Sequence, residues 1–265
     1  MKQQQFDIAF QMHGGGRNSN PFVLKLGARL TVGYNTSDSA LLDINVPYQL
    51  FQHEVLRYLE LTAQVGAKTL NLEPTLTILE SDRDELRGLS QSIRDPFAVI
   101  HPGASNIQRR WDPKKFAKVA DALANKGLDI IITGTPSESS LMEEVASAMD
   151  AKSLVCNNLS IKALAALLER AELLVSCDTG PLHLARAVNT PTVGIYWSCN
   201  VVTAGPITVT IHRSSIGWNV NCPLCGADCM KEDVHHPKGN CTHETSFVNG
   251  ISEYEVIEQA LSLYY

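Results

Sequence analysis

From residue 97 onward the chain alternates between two hydrophobic periods. Short apolar runs at 97–101, 128–133, 153–156, 172–177, 192–196 and 207–212 have the length and β-branched content of buried strands. Between them, apolar residues three and four apart predict helices near 113–125, 137–149, 160–170 and 181–188. Pro113 and Pro181 fall in first helical turns, where the missing N–H costs nothing. Strand followed by helix, repeated, is the pattern of a doubly wound parallel sheet. The first ninety or so residues are sparser. They offer strands at 6–10 and 30–34, a glycine-rich turn and short helix between them, and helices at 50–65 and 81–92. Two short parallel strands do not make an independent sheet, so the expectation is that further strands preceded Met1 or that a partner supplies them. Residues 72–78, stiffened by Pro74, lead into an interdomain connection, and Arg94-Asp95-Pro96 marks the boundary. The domains are thus read as 1–94 and 95–265.

Ligands of such sheets bind beyond the carboxyl ends of the strands. The polar clusters at 101–110, 134–138 and 178–183 all fall there. The last is the most informative, because an apolar strand runs directly into Asp178-Thr179-Gly180-Pro181-Leu182-His183. Asp178 or Thr179 is expected to cap the helix, and Gly180 lets a ligand approach the backbone. The free N–H groups of the first turn and the helix dipole favour a phosphate, with His183 one turn in. The same junction also serves as a purely structural strand-to-helix turn.

Composition narrows the class. A net charge of -6 with no basic run interleaved with aromatics argues against nucleic acid. The short cluster Arg109, Arg110, Lys114, Lys115 and Lys118 suits one anionic ligand. No apolar stretch approaches the ~20 residues needed to cross a bilayer, and the N-terminus lacks signal-peptide features, so a cytoplasmic protein without a transmembrane segment is expected. Of seven cysteines, Cys156, Cys177 and Cys199 sit at strand ends as small hydrophobes.

Four segments together resemble glycosyltransferase family nine, the heptosyltransferases of the lipopolysaccharide inner core. They are His101-Pro102-Gly103-Ala104-Ser105 with Arg109-Arg110-Trp111-Asp112-Pro113, Gly134-Thr135-Pro136-Ser137-Glu138, the run from Asp178 to Ala185, and Thr190-Pro191-Thr192-Val193-Gly194. The resemblance covers nearly the whole chain. It implies an α/β fold of the GT-B type, two Rossmann-like domains with the N-terminal one incomplete, and a donor site in the second.

Carried onto this sequence, the family pattern places Asp178, Thr179, Gly180, Pro181, Leu182 and His183 around the diphosphate and sugar. Arg109, where the family commonly has Lys, would neutralise the leaving diphosphate. Ser105 would bond a phosphate oxygen and Glu138 the ribose hydroxyls. Arg109, Asp178 and His183 are the expected catalytic residues. Taken without the family, Arg109 and Arg110 also read as a solvated helix-entry pair, and Glu138 as a first-turn dipole partner.

The implied reaction is inverting transfer of a heptose from a nucleotide diphosphate sugar, ADP-heptose for preference, to a lipid-linked core saccharide. The resemblance implies no cofactor and no catalytic metal, and peripheral contact with the inner membrane. A nucleotide-sugar-binding protein without transferase activity and a nucleotide-sugar epimerase are the alternatives.

The chain departs from the family at its start. No Ser-x-Gly-Asp turn, with its presumed general base, precedes Phe6, as though the chain began inside the first domain. The loop His13-Gly14-Gly15-Gly16-Arg17 then faces the acceptor, with Arg17 as an anion contact and His13 as a candidate substitute base; it also reads as a tight glycine-rich turn.

Cys222, Cys225, Cys229 and Cys241, with His235, His236 and His243 nearby, have spacing compatible with a tetrahedral zinc site. A loop of reduced or partly disulfide-linked thiols fits the spacing equally.

Overall fold

In the computed structural model, which describes residues 4–87, 92–228 and 242–264, the chain divides into two units: Met1–Leu72 with Val202–Ala204, and Glu73–Val201 with Gly205–Tyr265.

The first unit holds β1 (Ile8–Gln11), α1 (Ser19–Leu24), β2 (Leu30–Asn35), β3 (Ile44–Pro47) and α2 (Glu54–Ala63). Its three strands run parallel in the order β1-β2-β3. β3, which the sequence pattern does not predict, is a four-residue edge strand of Ile-Asn-Val-Pro too short and polar to announce itself. Val32, Tyr34, Val46 and Leu61 form the core. Beneath it, buried Arg57 donates to the carbonyls of Gln49, Leu50 and Gln52 at 2.6, 3.1 and 3.2 Å, closing the loop that precedes α2. His13 is exposed, and Arg17 pairs with Asp38 at 3.5 Å.

The second unit comprises α3 (Glu80–Arg87), β4 (Phe97–His101), α4 (Pro113–Ala124), β5 (Asp129–Thr133), α5 (Ser139–Ala148), β6 (Ser153–Cys156), α6 (Ile161–Arg170), β7 (Leu173–Cys177), α7 (Gly180–Ala187), β8 (Thr192–Trp197), the start of α8 (Ser198–Ala204), β9 (His212–Gly217) and α9 (Glu253–Leu263). All six strands are parallel, in the order β6-β5-β4-β7-β8-β9. The chain therefore leaves β4 in one direction and resumes at β7 in the other, which makes the gap beyond their carboxyl ends the topological switch point.

Alternation along the central strands splits the core. Phe97 and Val99 face α3, α6 and α7, while Ala98 and Ile100 face α4, α5 and α9. The strand expected at 207–212 lies instead at His212–Gly217. Its inward residues are polar and satisfied by neighbours: His212 Nδ1 meets Thr192 Oγ1 at 2.9 Å and Ser215 donates to Gln259 at 2.9 Å. A hydrophobic pattern cannot register such a strand.

Glu73 opens this unit by accepting from the buried Arg186 guanidinium (2.9 Å) and from the Thr208 N–H (2.9 Å) and hydroxyl (3.0 Å). The Leu76 N–H donates to the Ala187 carbonyl at 2.7 Å. These bonds fasten residues 73–78 to α7, so the division between units falls after Leu72, ahead of the 94/95 boundary expected from sequence. Among the described residues, no helix is long and apolar enough to cross a membrane.

Candidate functional site

At the switch point β7 delivers Asp178 to the sheet edge with its backbone N–H bonded to the Ile195 carbonyl of β8 at 3.1 Å. Its carboxylate is buried and gathers three partners. Asn200 donates to Oδ2 at 2.6 Å, an Arg109 terminal nitrogen lies 3.4 Å from Oδ2, and His183 Nε2 lies 3.4 Å from Oδ1. Burial alone would raise this carboxyl. The hydrogen bond from His183, the charges of Arg109 and His183 and the Asn200 amide outweigh it and hold the group below the ordinary carboxylate range.

This arrangement corrects the capping expectation. Thr179 is the N-cap residue of α7 but makes no side-chain cap, and the Asp178 oxygens are turned towards Arg109, His183 and Asn200. Pro181 has no N–H and the Leu182 N–H is bonded within the turn, so it is the Gly180 N–H that the start of α7 presents, beside a cationic side chain. A Cβ placed on Gly180 would meet nothing within 4 Å, so the space before that turn is open. Leu182 departs from the pocket role expected for it. Its side chain is fully buried in the core, and its N–H bonds the Thr179 carbonyl at 3.0 Å.

Arg109 reaches Asp178 because a 3-10 turn at Ile107–Arg109, capped by the Asn106 side chain, lifts it from the loop after β4. Its neighbour Arg110 has a different task, donating Nε to the Ala104 carbonyl at 2.8 Å and closing the same loop. Ser105 lies exposed in that loop. Glu138 completes a capping box: its Oε2 accepts from the N–H and the hydroxyl of Thr135, each at 2.9 Å. Its other oxygen lies against Gly103, where an added Cβ would come within 2.2 Å.

Adjoining the constellation is a cavity of about 570 Å³. Pro74, Leu159, Leu164, Pro181, Leu184 and Ala187 supply apolar walls; His101, Thr133, Thr135 and His183 edge it with polar groups. An apolar slot with a few polar groups is the form of a site for a flat heterocycle. His101 is buried, its Nδ1 3.1 Å from Thr133 Oγ1. Burial drives it down to about 4, against an opposing pull from Glu138.

The sequence reading included neither His101 nor Asn200 among the site residues. His101 ends β4 and Asn200 lies in α8 shortly after β8, both on the edge where the other clusters fall, so the edge rule, extended to β8, would have found Asn200. Cys156 and Cys177 are buried as expected, and Cys199 is half-buried.

The family model described as glycosyltransferase family 9 (heptosyltransferase) matches residues 1–231. The chain belongs to glycosyltransferase family 9. A relative within it is lipopolysaccharide heptosyltransferase 3 of Escherichia coli K12, 30% identical over 167 residues, covering 60% of this chain and 48% of the relative. The chain thus spans about half the length of that relative.

Among solved structures of the family, the glycosyl transferase family 9 protein from Veillonella parvula superposes with a TM-score of 0.76 at 21% identity, covering 98% of this chain and 74% of that one. The E. coli ADP-heptose lps heptosyltransferase II gives 0.72 at 18%, covering 99% and 78%. These likenesses fix the fold: two parallel-sheet α/β units of the GT-B class.

Proposed function

We propose that the chain acts as a heptosyltransferase, moving a heptose from ADP-heptose to a lipopolysaccharide core acceptor with inversion at the anomeric carbon. The observation that carries this reading is Arg109 and the uncapped first turn of α7 converging at the switch point beside an apolar cavity. Family membership and the ADP-heptose donor named for one structural relative support it. The adenine occupies the cavity, and the diphosphate lies against the Gly180 N–H and Arg109.

In the transfer step the acceptor hydroxyl, losing its proton to a carboxylate, bonds to the anomeric carbon as the bond to the diphosphate oxygen breaks. Arg109 and the helix terminus hold the charge that accumulates on the departing ADP. Asp178 is ill suited to be the proton acceptor, being ionised at low pH and saturated with donors. It orients Arg109 and His183 instead. Thr179 and Gly180 provide backbone rather than side-chain chemistry, Pro181 part of the apolar wall, Ser105 a phosphate contact and Glu138 a ribose contact through its second oxygen. The acceptor's lipid places the protein on the cytoplasmic face of the inner membrane, in peripheral contact.

The test is calorimetric titration of the full chain with ADP, paired with transfer from ADP-heptose to a heptose-deficient core acceptor. Arg109→Ala should lower kcat/KM about 10²–10³-fold, and Asp178→Asn should weaken ADP binding while the far-UV spectrum stays unchanged. Tight ADP-heptose binding with no transfer would instead favour a binding protein, and unchanged ADP affinity in both variants would remove the site.

A further inference from the structure

Residues 221–228 fold into a small knuckle outside the site described above. Asn221 and Asp228 pair as an isolated antiparallel bridge, the Cys222 N–H donates to the Ala227 carbonyl at 2.8 Å, and the Gly226 N–H returns to the Cys222 carbonyl at 2.8 Å. The reversal places Gly226 at φ +68°, a conformation that glycine accepts without strain. It brings the sulfurs of Cys222 and Cys225 to one side. His243 lies beside them, and the three donor atoms lie within 4.8 Å of one another.

The separation between Cys222 Sγ and His243 Nδ1 is 3.7 Å. Zinc bonded tetrahedrally to a thiolate and an imidazole sets that edge at about 3.6 Å. We propose that Cys222, Cys225 and His243 bind a zinc ion that braces the loop carrying Arg109. Two soft thiolates and one imidazole suit zinc rather than magnesium or calcium. Each thiol releases its proton to solvent as its sulfur bonds the metal.

The bracing follows from what His243 leads into. The Gln108 amide donates to the His243 carbonyl at 3.2 Å, and the Phe247 N–H donates to the Gln108 carbonyl at 2.9 Å. The Ser246 hydroxyl bonds the Arg110 carbonyl at 2.7 Å. Phe247 stacks on Trp197 at 5.0 Å and packs with Cys222. Residues on both sides of Arg109 are thus tied to the segment that follows the third metal donor. The metal assignment stands without the donor reading; only the value of holding Arg109 rests on it.

The test uses the full chain purified without chelator, with zinc and iron measured by mass spectrometry. Wild type should carry stoichiometric zinc, and Cys225→Ser and His243→Ala should lose most of it. Both side chains are exposed, so far-UV spectra of the variants should match wild type. As a second readout, cobalt exchanged into wild type should give a thiolate charge-transfer band that Cys225→Ser weakens. Chelation should speed amide exchange at 107–110 and 243–248.

Wild-type protein that neither carries nor takes up zinc would overturn the site, as would zinc retained in both variants. Stoichiometric iron in its place would overturn the choice of metal. Zinc whose removal leaves exchange at 107–110 unchanged would overturn the bracing role. Cys229 and Cys241, part of the four-cysteine arrangement seen in the sequence, lie outside the described residues with His235 and His236.

Discussion

Two buried titratable residues at the switch point behave oppositely because of their company. Asp178 is surrounded by donors and stays ionised, whereas His101 has only a hydroxyl at its Nδ1 and is driven neutral by burial. The consequence for stability can be signed. His101 titrates at about 4 in the folded chain against 6.5 when unfolded, so between those values the unfolded chain holds the extra proton. Stability from this residue is fully present above pH 6.5 and is lost as pH falls towards 4, by up to about 3 kcal/mol. His101→Gln, which cannot titrate, should flatten that part of the profile. Urea unfolding of both proteins at pH 7.5 and 4.5 measures it, and equal losses in the two would refute the assignment. The sequence showed that Asp178, Arg109 and His183 share a sheet edge. It could not show that the Asp178 side chain leaves the end of α7 uncapped, because that depends in part on Asn200, a residue contributed by α8.

At the scale of elements, legibility followed burial on both faces. β4 and β7 match the apolar runs that announce them to within a residue, because both faces are packed and every position is buried, and α6 and α7 match their helical periods to within a residue or two, because one apolar stripe of each faces the core. β3, β9 and α9 are edge or peripheral elements whose polar positions face neighbours as often as solvent, so no clean period marks them. α7 offers a sharp test of ligand against structure. Gly180 has an ordinary backbone conformation with open space before it, and replacing a glycine in a helix by alanine typically stabilises by about 0.5–1 kcal/mol. Gly180→Ala should leave the melting temperature unchanged or higher while weakening ADP binding about tenfold, or 1.4 kcal/mol. A purely structural strand-to-helix junction predicts the first effect without the second. Calorimetry beside a thermal melt separates them.

For the whole molecule, the two units have separate cores, one around Val32, Tyr34 and Leu61 and the other spread over both faces of the six-stranded sheet. Separate cores imply separate cooperative blocks, whose opening free energies need not move together. The proposed donor contacts lie in the second unit, so ADP should stabilise that block by mass action, about 2.7 kcal/mol at a concentration one hundred times Kd. Hydrogen exchange reads this directly. Amides of β4, β7 and α7 should slow by about a hundredfold on adding ADP, while those of β1, β2 and β3 keep their rates. Equal slowing in β2 would mean that the two cores open as one block. Slowing confined to β2 would mean that the nucleotide binds the first unit, against every residue argument made for Arg109 and α7. Slowing of the second unit alone is the result that ties the residue-scale chemistry to the architecture, since a block that opens as one is protected throughout, β4 with β7, only by a ligand that the same block holds.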